Sequence, residues 1–209
     1  MAMIWLIELS IFLMTGILLV HAIRSRSPQF ALMFWVSGIF MALLREIGMS
    51  MLSGLYHYGD FIGMIGPVPL VIMLLWPNLI YVSWEWTNNF LGREYFREKS
   101  MGEHLPLIFL TLMLASFLFE SLFHQFHLIR WTLDPIIPYL LGAIPFMAPF
   151  AYGFTGVVFL KVFKTIWNRP EQTRSTTFTQ LILLQPIVIL IFMGLMLITN
   201  LLTVLVFTI

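Results

Sequence analysis

The sequence predicts an all-α fold: a polytopic transmembrane helix bundle of about six spans, the fifth broken by proline, forming one integral membrane domain over residues 1–209. Three observations predict it. Apolar residues make up 60% of the chain and charged residues only 10%, against about 25% charged in soluble domains. A soluble globule of this size has too much surface to keep such a composition out of water. Six apolar runs are each long enough to cross a bilayer, which takes about 20 residues. Finally, basic residues alternate between the connecting loops, as the positive-inside rule requires.

Taken in order, the spans fall near 3–23, 30–52, 67–91, 105–127, 136–163 and 179–208. The first has no basic stretch before it; its charges, Arg24 and Arg26, come after. It reads as a retained span, not a signal peptide. The second carries Arg45 and Glu46 near its end. These are adjacent on a helix, so they are expected to point apart, with Arg45 neutralising a carboxylate on another span. The third holds Glu85 between Trp84 and Trp86, expected at the interface beside Arg93. The fourth ends in E-S-L-F-H-Q-F-H, which puts Glu120, His124 and His127 at i, i+4 and i+7 on one helix face. The fifth contains Pro138, Pro145 and Pro149 with Gly142, Gly153 and Gly156 interleaved. Prolines there remove helix hydrogen bonds and kink the span, which is tolerated where protein or a cavity covers the backbone.

Arg24, Arg26, Arg93, Arg97, Lys99, Lys161, Lys164, Arg169 and Arg174 fall on one side, and Arg45 and Arg130 on the other. Positive-inside then puts both termini outside. In that orientation Glu8, Glu46 and Glu120 share one level with His57, Asp60, His124, His127, Arg130 and Asp134. Ionisable groups in a span are costly and mark function by default. The stretch "SGLYHYGDFIGMIGPVP" (Ser53–Pro69) lies over this layer, and its glycines permit turns. Tyr56 and Tyr58 suit an interfacial aromatic belt; with His57 and Asp60 beside them, they also suit a lid over a polar pocket.

Other classes lose support. A net charge of +1 gives no basic face for nucleic acid, and the absence of cysteine excludes disulfides, iron–sulfur clusters and thiolate zinc sites. Nucleotide-binding and serine-elbow motifs are missing.

Glu46, Gly48, Gly54, Tyr56, Tyr58, Val68, Pro69 and Trp76, with Leu133, Asp134 and Pro135 later, follow an order and spacing similar to the membrane carotenoid-biosynthesis proteins, the bisanhydrobacterioruberin and γ-carotene hydratases among them. "GAIPFMAPFAYGFTGVVF" stands where that family has a Gly-Val-Pro-x-x-Asn-Phe-x-Gly-Trp stretch, and retains only Pro149, Phe154 and Gly156 as echoes. The resemblance implies a carotenoid- or isoprenoid-modifying enzyme of a bacterial plasma membrane. The reaction would be a hydratase-like addition of water to a terminal isoprenoid double bond, with no cofactor. Such chemistry needs an acid to protonate the alkene and a base to direct water. A carboxyl in apolar surroundings can hold its proton at neutral pH, and aromatic faces stabilise the carbocation. Glu46, Asp134 and Glu120 are the expected acid and base. Tyr56, Tyr58, Trp76, His57 and Asp60 are the expected substrate-binding residues. The partners expected are the lipid bilayer, an apolar isoprenoid substrate and other membrane-complex subunits.

Two alternatives belong to other classes. Glu120, His124 and His127 could hold a divalent metal with open positions, as in a metal-dependent membrane enzyme. Six short-looped spans also suit a small transporter or an accessory membrane-complex subunit.

Overall fold

A computed structural model of the chain describes residues 2–52, 54–98, 102–132, 139–140, 144–145, 147–169 and 176–187, with 189–191, 194 and 198. Helix α1 (Ala2–Ser25) is followed by α2 (Pro28–Ile47), which runs into a π-helical turn at Gly48–Leu52. Strands β1 (Tyr56–Tyr58), β2 (Met64–Ile65) and β3 (Val68–Pro69) lead into α3 (Leu70–Leu91). Helix α4 (His104–Gln125), strands β4 (Ile129–Trp131), β5 (Tyr139–Leu140) and β6 (Ile144–Pro145), and α5 (Met147–Trp167) complete the order. Residues 176–187 are helical.

The helices begin and end where local chemistry requires. Ser27 caps α2 by accepting a hydrogen bond from Phe30 N–H at 3.0 Å, and Pro28 follows it, where a missing N–H costs nothing. Helix α3 stops at Gly92, whose φ of 61° closes the last turn onto the Asn88 carbonyl.

Helices α1, α2, α4 and α5 are long and apolar enough to cross a membrane. Helix α3, of similar length, is not among these and sits in the middle of the bundle against α1, α2 and α4. Asn78, its most deeply buried amide, is satisfied there. Trp35 donates to Asn78 Oδ1 at 2.9 Å, and Asn78 donates to Thr15 Oγ1 at 2.7 Å, joining α1, α2 and α3. In lipid, helices have no hydrophobic reason to associate, so close packing and such bonds carry the assembly.

Among the described glycines of the fifth span, Gly153 and Gly156 act in packing. A Cβ at Gly153 would lie 2.6 Å from the Phe109 ring, so α4 and α5 meet across a missing side chain. Gly38 does the same for Pro77, which lies inside α3; a Cβ there would lie 2.8 Å from the proline. Helix α5 runs unbroken, with Pro149 in its first turn, where proline is tolerated. Pro145 pairs with Tyr139 in the β5–β6 hairpin instead of kinking a helix. Pro138 and Gly142 lie outside the described residues.

At one end of the bundle the basic loops gather. Arg26 bonds Glu94 and, at 3.2 Å, Glu85. The expected neighbour of Glu85, Arg93, pairs instead with exposed Glu103 at 3.1 Å. Above them lies an aromatic core in which Phe30, Phe34, Trp84, Phe96 and Phe163 meet mostly edge to face.

Candidate active site

The opposite end carries the carboxylates. Antiparallel pairing of β1 with β4 sets Tyr56 against Trp131, His57 against Arg130 and Tyr58 against Ile129. Alternation along a strand then separates neighbours. Tyr56 and Tyr58 turn inward and both donate to Glu46 Oε2. His57 turns outward and is exposed. Burial first, and the Glu46 carboxylate second, push both phenols well above their ordinary pKa, so both hydroxyls remain donors.

The other oxygen of Glu46 is equally occupied. Trp76 donates to Oε1 at 2.8 Å, and Arg45 pairs with the same oxygen. Glu46 is fully buried and Arg45 is 1% exposed. The expectation that these adjacent residues point apart is therefore corrected. Both are buried in the bundle interior, and the long arginine side chain reaches its neighbour while lying 4.3 Å over the Trp76 ring and 4.7 Å over Tyr152. Their proximity in sequence hid the pairing, because the regular helical angle between neighbours says nothing of a side chain this long.

Trp76 stacks face to face on Tyr152, with centroids 4.4 Å apart and planes 3° from parallel. Tyr152 in turn donates to Glu120 Oε1 at 2.5 Å. A continuous cluster thus runs from Arg45 and Glu46 through the Trp76–Tyr152 stack to Glu120. Four of its members, Glu46, Tyr56, Tyr58 and Trp76, carry the motif read in the sequence. Tyr152 was missed; its signal was a phenol in the otherwise apolar opening of α5.

Glu120 differs from Glu46. Its second oxygen, Oε2, is buried without a hydrogen-bond partner. It borders a narrow cavity with about 10 Å³ of water-reachable space, lined by Trp76 and Tyr152 and by apolar residues such as Leu75, Leu79, Phe119 and Phe123. That is room for about one water molecule.

His57 and Asp60 do not join this cluster. With His127, Arg130 and Tyr58 they line a separate groove of about 500 Å³ on the rim. Gly59 is needed there: a Cβ would lie 2.6 Å from the His127 carbonyl oxygen. The metal alternative is corrected too. Helix α4 ends at Gln125 and His127 takes a left-handed φ of 56°, so the i+7 position leaves the helix face. Among the described residues no three His, Cys, Asp or Glu side chains gather closely enough to hold a metal ion. Asp134, expected to be catalytic, lies outside the described residues, as do Leu133 and Pro135.

Fold and site together define a helical integral membrane protein with a carboxylate–aromatic centre buried toward one end of its bundle. No protein-family model matches the chain, no curated protein is similar to it, and no solved structure matches its fold.

Proposed function

We propose that this protein is a membrane enzyme that adds water to a terminal double bond of an apolar isoprenoid lipid, with Glu120 as the proton-transferring group. The observation that carries the reading is the contrast between the two carboxyls: Glu46 has both oxygens saturated by four side-chain donors, whereas Glu120 keeps one buried oxygen free beside a cavity of water size. Glu46 is a fixed charge; Glu120 is free to react.

In the proposed reaction the protonated Glu120 carboxyl gives its proton to the less substituted carbon of the alkene, and the π pair forms the new C–H bond. A tertiary carbocation results, facing the Trp76–Tyr152 stack. The preorganised Glu46 anion offsets its charge at no cost of reorganisation. A water molecule supplies the C–O bond and returns a proton to the Glu120 carboxylate. Nothing else is consumed. The substrate reaches the cavity from the lipid side of α4 and α5.

The finer topology belongs to the same proposal: six spans, with both termini outside and the Arg26, Arg93, Arg97 and Lys164 end in the cytoplasm of a bacterial cell. The test is mass-resolved extraction of polyisoprenoids from cells with and without the gene. Gain of one water, lost in Glu120→Gln, supports hydration. An unchanged lipid profile, in cells that contain both folded protein and unsaturated polyisoprenoids, rules it out.

A further inference from the structure

The rim groove, separate from the Glu120 cluster, holds two opposite charges that do not meet. Arg130 and Asp60 both line its space of about 500 Å³, and both are exposed. Among the described residues neither side chain has an ion-pair or hydrogen-bond partner. Two other polar groups of the groove are already engaged. Tyr58 donates to Glu46, and Thr132 donates to the Gly54 carbonyl. The imidazoles of His57 and His127 complete its polar lining. Backbone pairing fixes these walls. The His57↔Arg130 register sets those two directly opposite each other, on one face of the strand pair. Gly59 N–H donates to Leu128 O at 2.9 Å, and His127 is held at a φ of 56°, uncommon for a residue with a side chain. The rest of the groove is apolar: Ile4, Phe126 and Leu128. Ile4 lies in the first turns of α1, a helix long and apolar enough to cross a membrane. The groove therefore stands at the end of a membrane-length helix, the level at which lipid headgroups begin.

A ligand with only negative charge suits Arg130 and is repelled by Asp60; a purely cationic one meets the reverse. An occupant that carries both charges satisfies both residues. We propose that this groove binds the headgroup of a phosphoethanolamine lipid. Arg130 pairs with the phosphate, His57 and His127 flank it, and Asp60 accepts hydrogen bonds from the primary ammonium. Ile4, Phe126 and Leu128 meet the start of the acyl chains. Ethanolamine is preferred to choline because a primary ammonium has three N–H donors for a carboxylate, whereas a trimethylammonium has none. A phosphoglycerol head brings no cation to Asp60. The site stands whether or not hydration is the reaction at Glu120.

The test equilibrates the full chain in nanodiscs made from equal parts of phosphatidylethanolamine, phosphatidylcholine and phosphatidylglycerol. The acyl chains are the same, and each lipid carries a distinct mass label. The protein is then released into mild detergent, and native mass spectrometry counts the lipids it retains. The expected result is one retained lipid, phosphatidylethanolamine over phosphatidylcholine by about fivefold, the worth of one directed hydrogen bond. Asp60→Asn brings the two to equality while the phosphate is still held, and Arg130→Gln lowers retention of both. Three outcomes in the native chain, which need no variant, overturn the site: equal retention of the three lipids, a preference for phosphatidylglycerol, or release of the retained lipid by inorganic phosphate, which would make this a site for the free anion. An ethanolamine preference that survives Asp60→Asn, in a variant with a native melting curve, overturns it as well.

Discussion

Lys164 and Glu46 are both buried charges, placed at opposite ends of one bundle and held in opposite ways. Lys164, on α5, donates to the backbone carbonyls of Tyr95 and, at 2.7 Å, Glu98, and its ammonium lies 4.3 Å from the Tyr95 ring centroid. Its partners are main chain, so its work is to fasten the loop after α3. Asn168 donates to Phe96 O at 2.9 Å and serves the same end. Among the described residues, Glu46 bonds no backbone through its side chain. Its four donors among the described residues are side chains, drawn from α2, β1 and α3, elements whose backbones have their own pairing. A charge that satisfies main chain belongs to the scaffold. A charge surrounded only by side chains, at the cost of burying all of them, belongs to a site.

Several substitutions break or sharpen that contrast. The largest effect is expected from Glu46→Ala, which takes the carboxylate from Arg45, Tyr56, Tyr58 and Trp76 at once; this costs about 3–5 kcal/mol and is read as loss of folded protein in detergent. The paired change Arg45→Met with Glu46→Leu recovers only part of that stability, because Tyr56, Tyr58 and Trp76 still lose their acceptor, and hydration is absent. Recovery of activity in the double variant would refute a chemical role for the pair.

Lys164→Met is next. Two loop carbonyls lose their donor, at about 2 kcal/mol in all. The damage is local: proteolysis within residues 92–98 speeds up, and the site's chemistry is untouched. Lost activity at unchanged loop protection would put Lys164 in the wrong class. Of similar or smaller size is Gly153→Val, which overpacks the α4–α5 contact by about 1–3 kcal/mol. It shifts Tyr152 and Glu120 together, and so lowers the thermal midpoint and activity in parallel.

Tyr58→Phe is milder, about 1 kcal/mol, since Tyr56 still donates to the same Glu46 oxygen. Activity should fall further than stability does. Arg93→Ala is the smallest. Its exposed pair with Glu103 is worth less than about 0.5 kcal/mol, and a melting curve indistinguishable from the native one is expected.

The helices were legible in the sequence because lipid demands long apolar runs, and α1, α2 and α4 fall close to where those runs lie. The fifth is legible only in part, since proline and glycine carry two meanings. At Pro145 the residue ends a hairpin strand, and at Gly153 it makes room for Phe109. Only the neighbouring chain decides which. The site was legible in its types and less so in its pairings. Spacing could nominate Glu46, Tyr56, Tyr58 and Trp76, and strand alternation could have excluded His57. The α4 pattern also held a clue, for Ile108, Leu112, Ser116 and Glu120 recur every four residues on the packed stripe while Leu110, Leu114 and Leu118 recur on the outward one. Nothing local could place Tyr152 against Glu120, because that contact joins residues far apart in the chain.

The central position of α3 has a consequence for biogenesis. A helix that carries Asn78, Ser83, Glu85, Thr87 and Asn88 partitions poorly from the translocon into bare lipid, where a charged or amide side chain at mid-membrane is penalised by kilocalories. Thr15 and Trp35, which satisfy Asn78, lie on the two helices made before it. Synthesis therefore delivers the receptor ahead of the ligand: α1 and α2 must still be waiting beside the exit gate when α3 emerges. A chain stripped of α1 would stall with α3 unintegrated, a target for membrane quality control rather than a smaller version of the same protein.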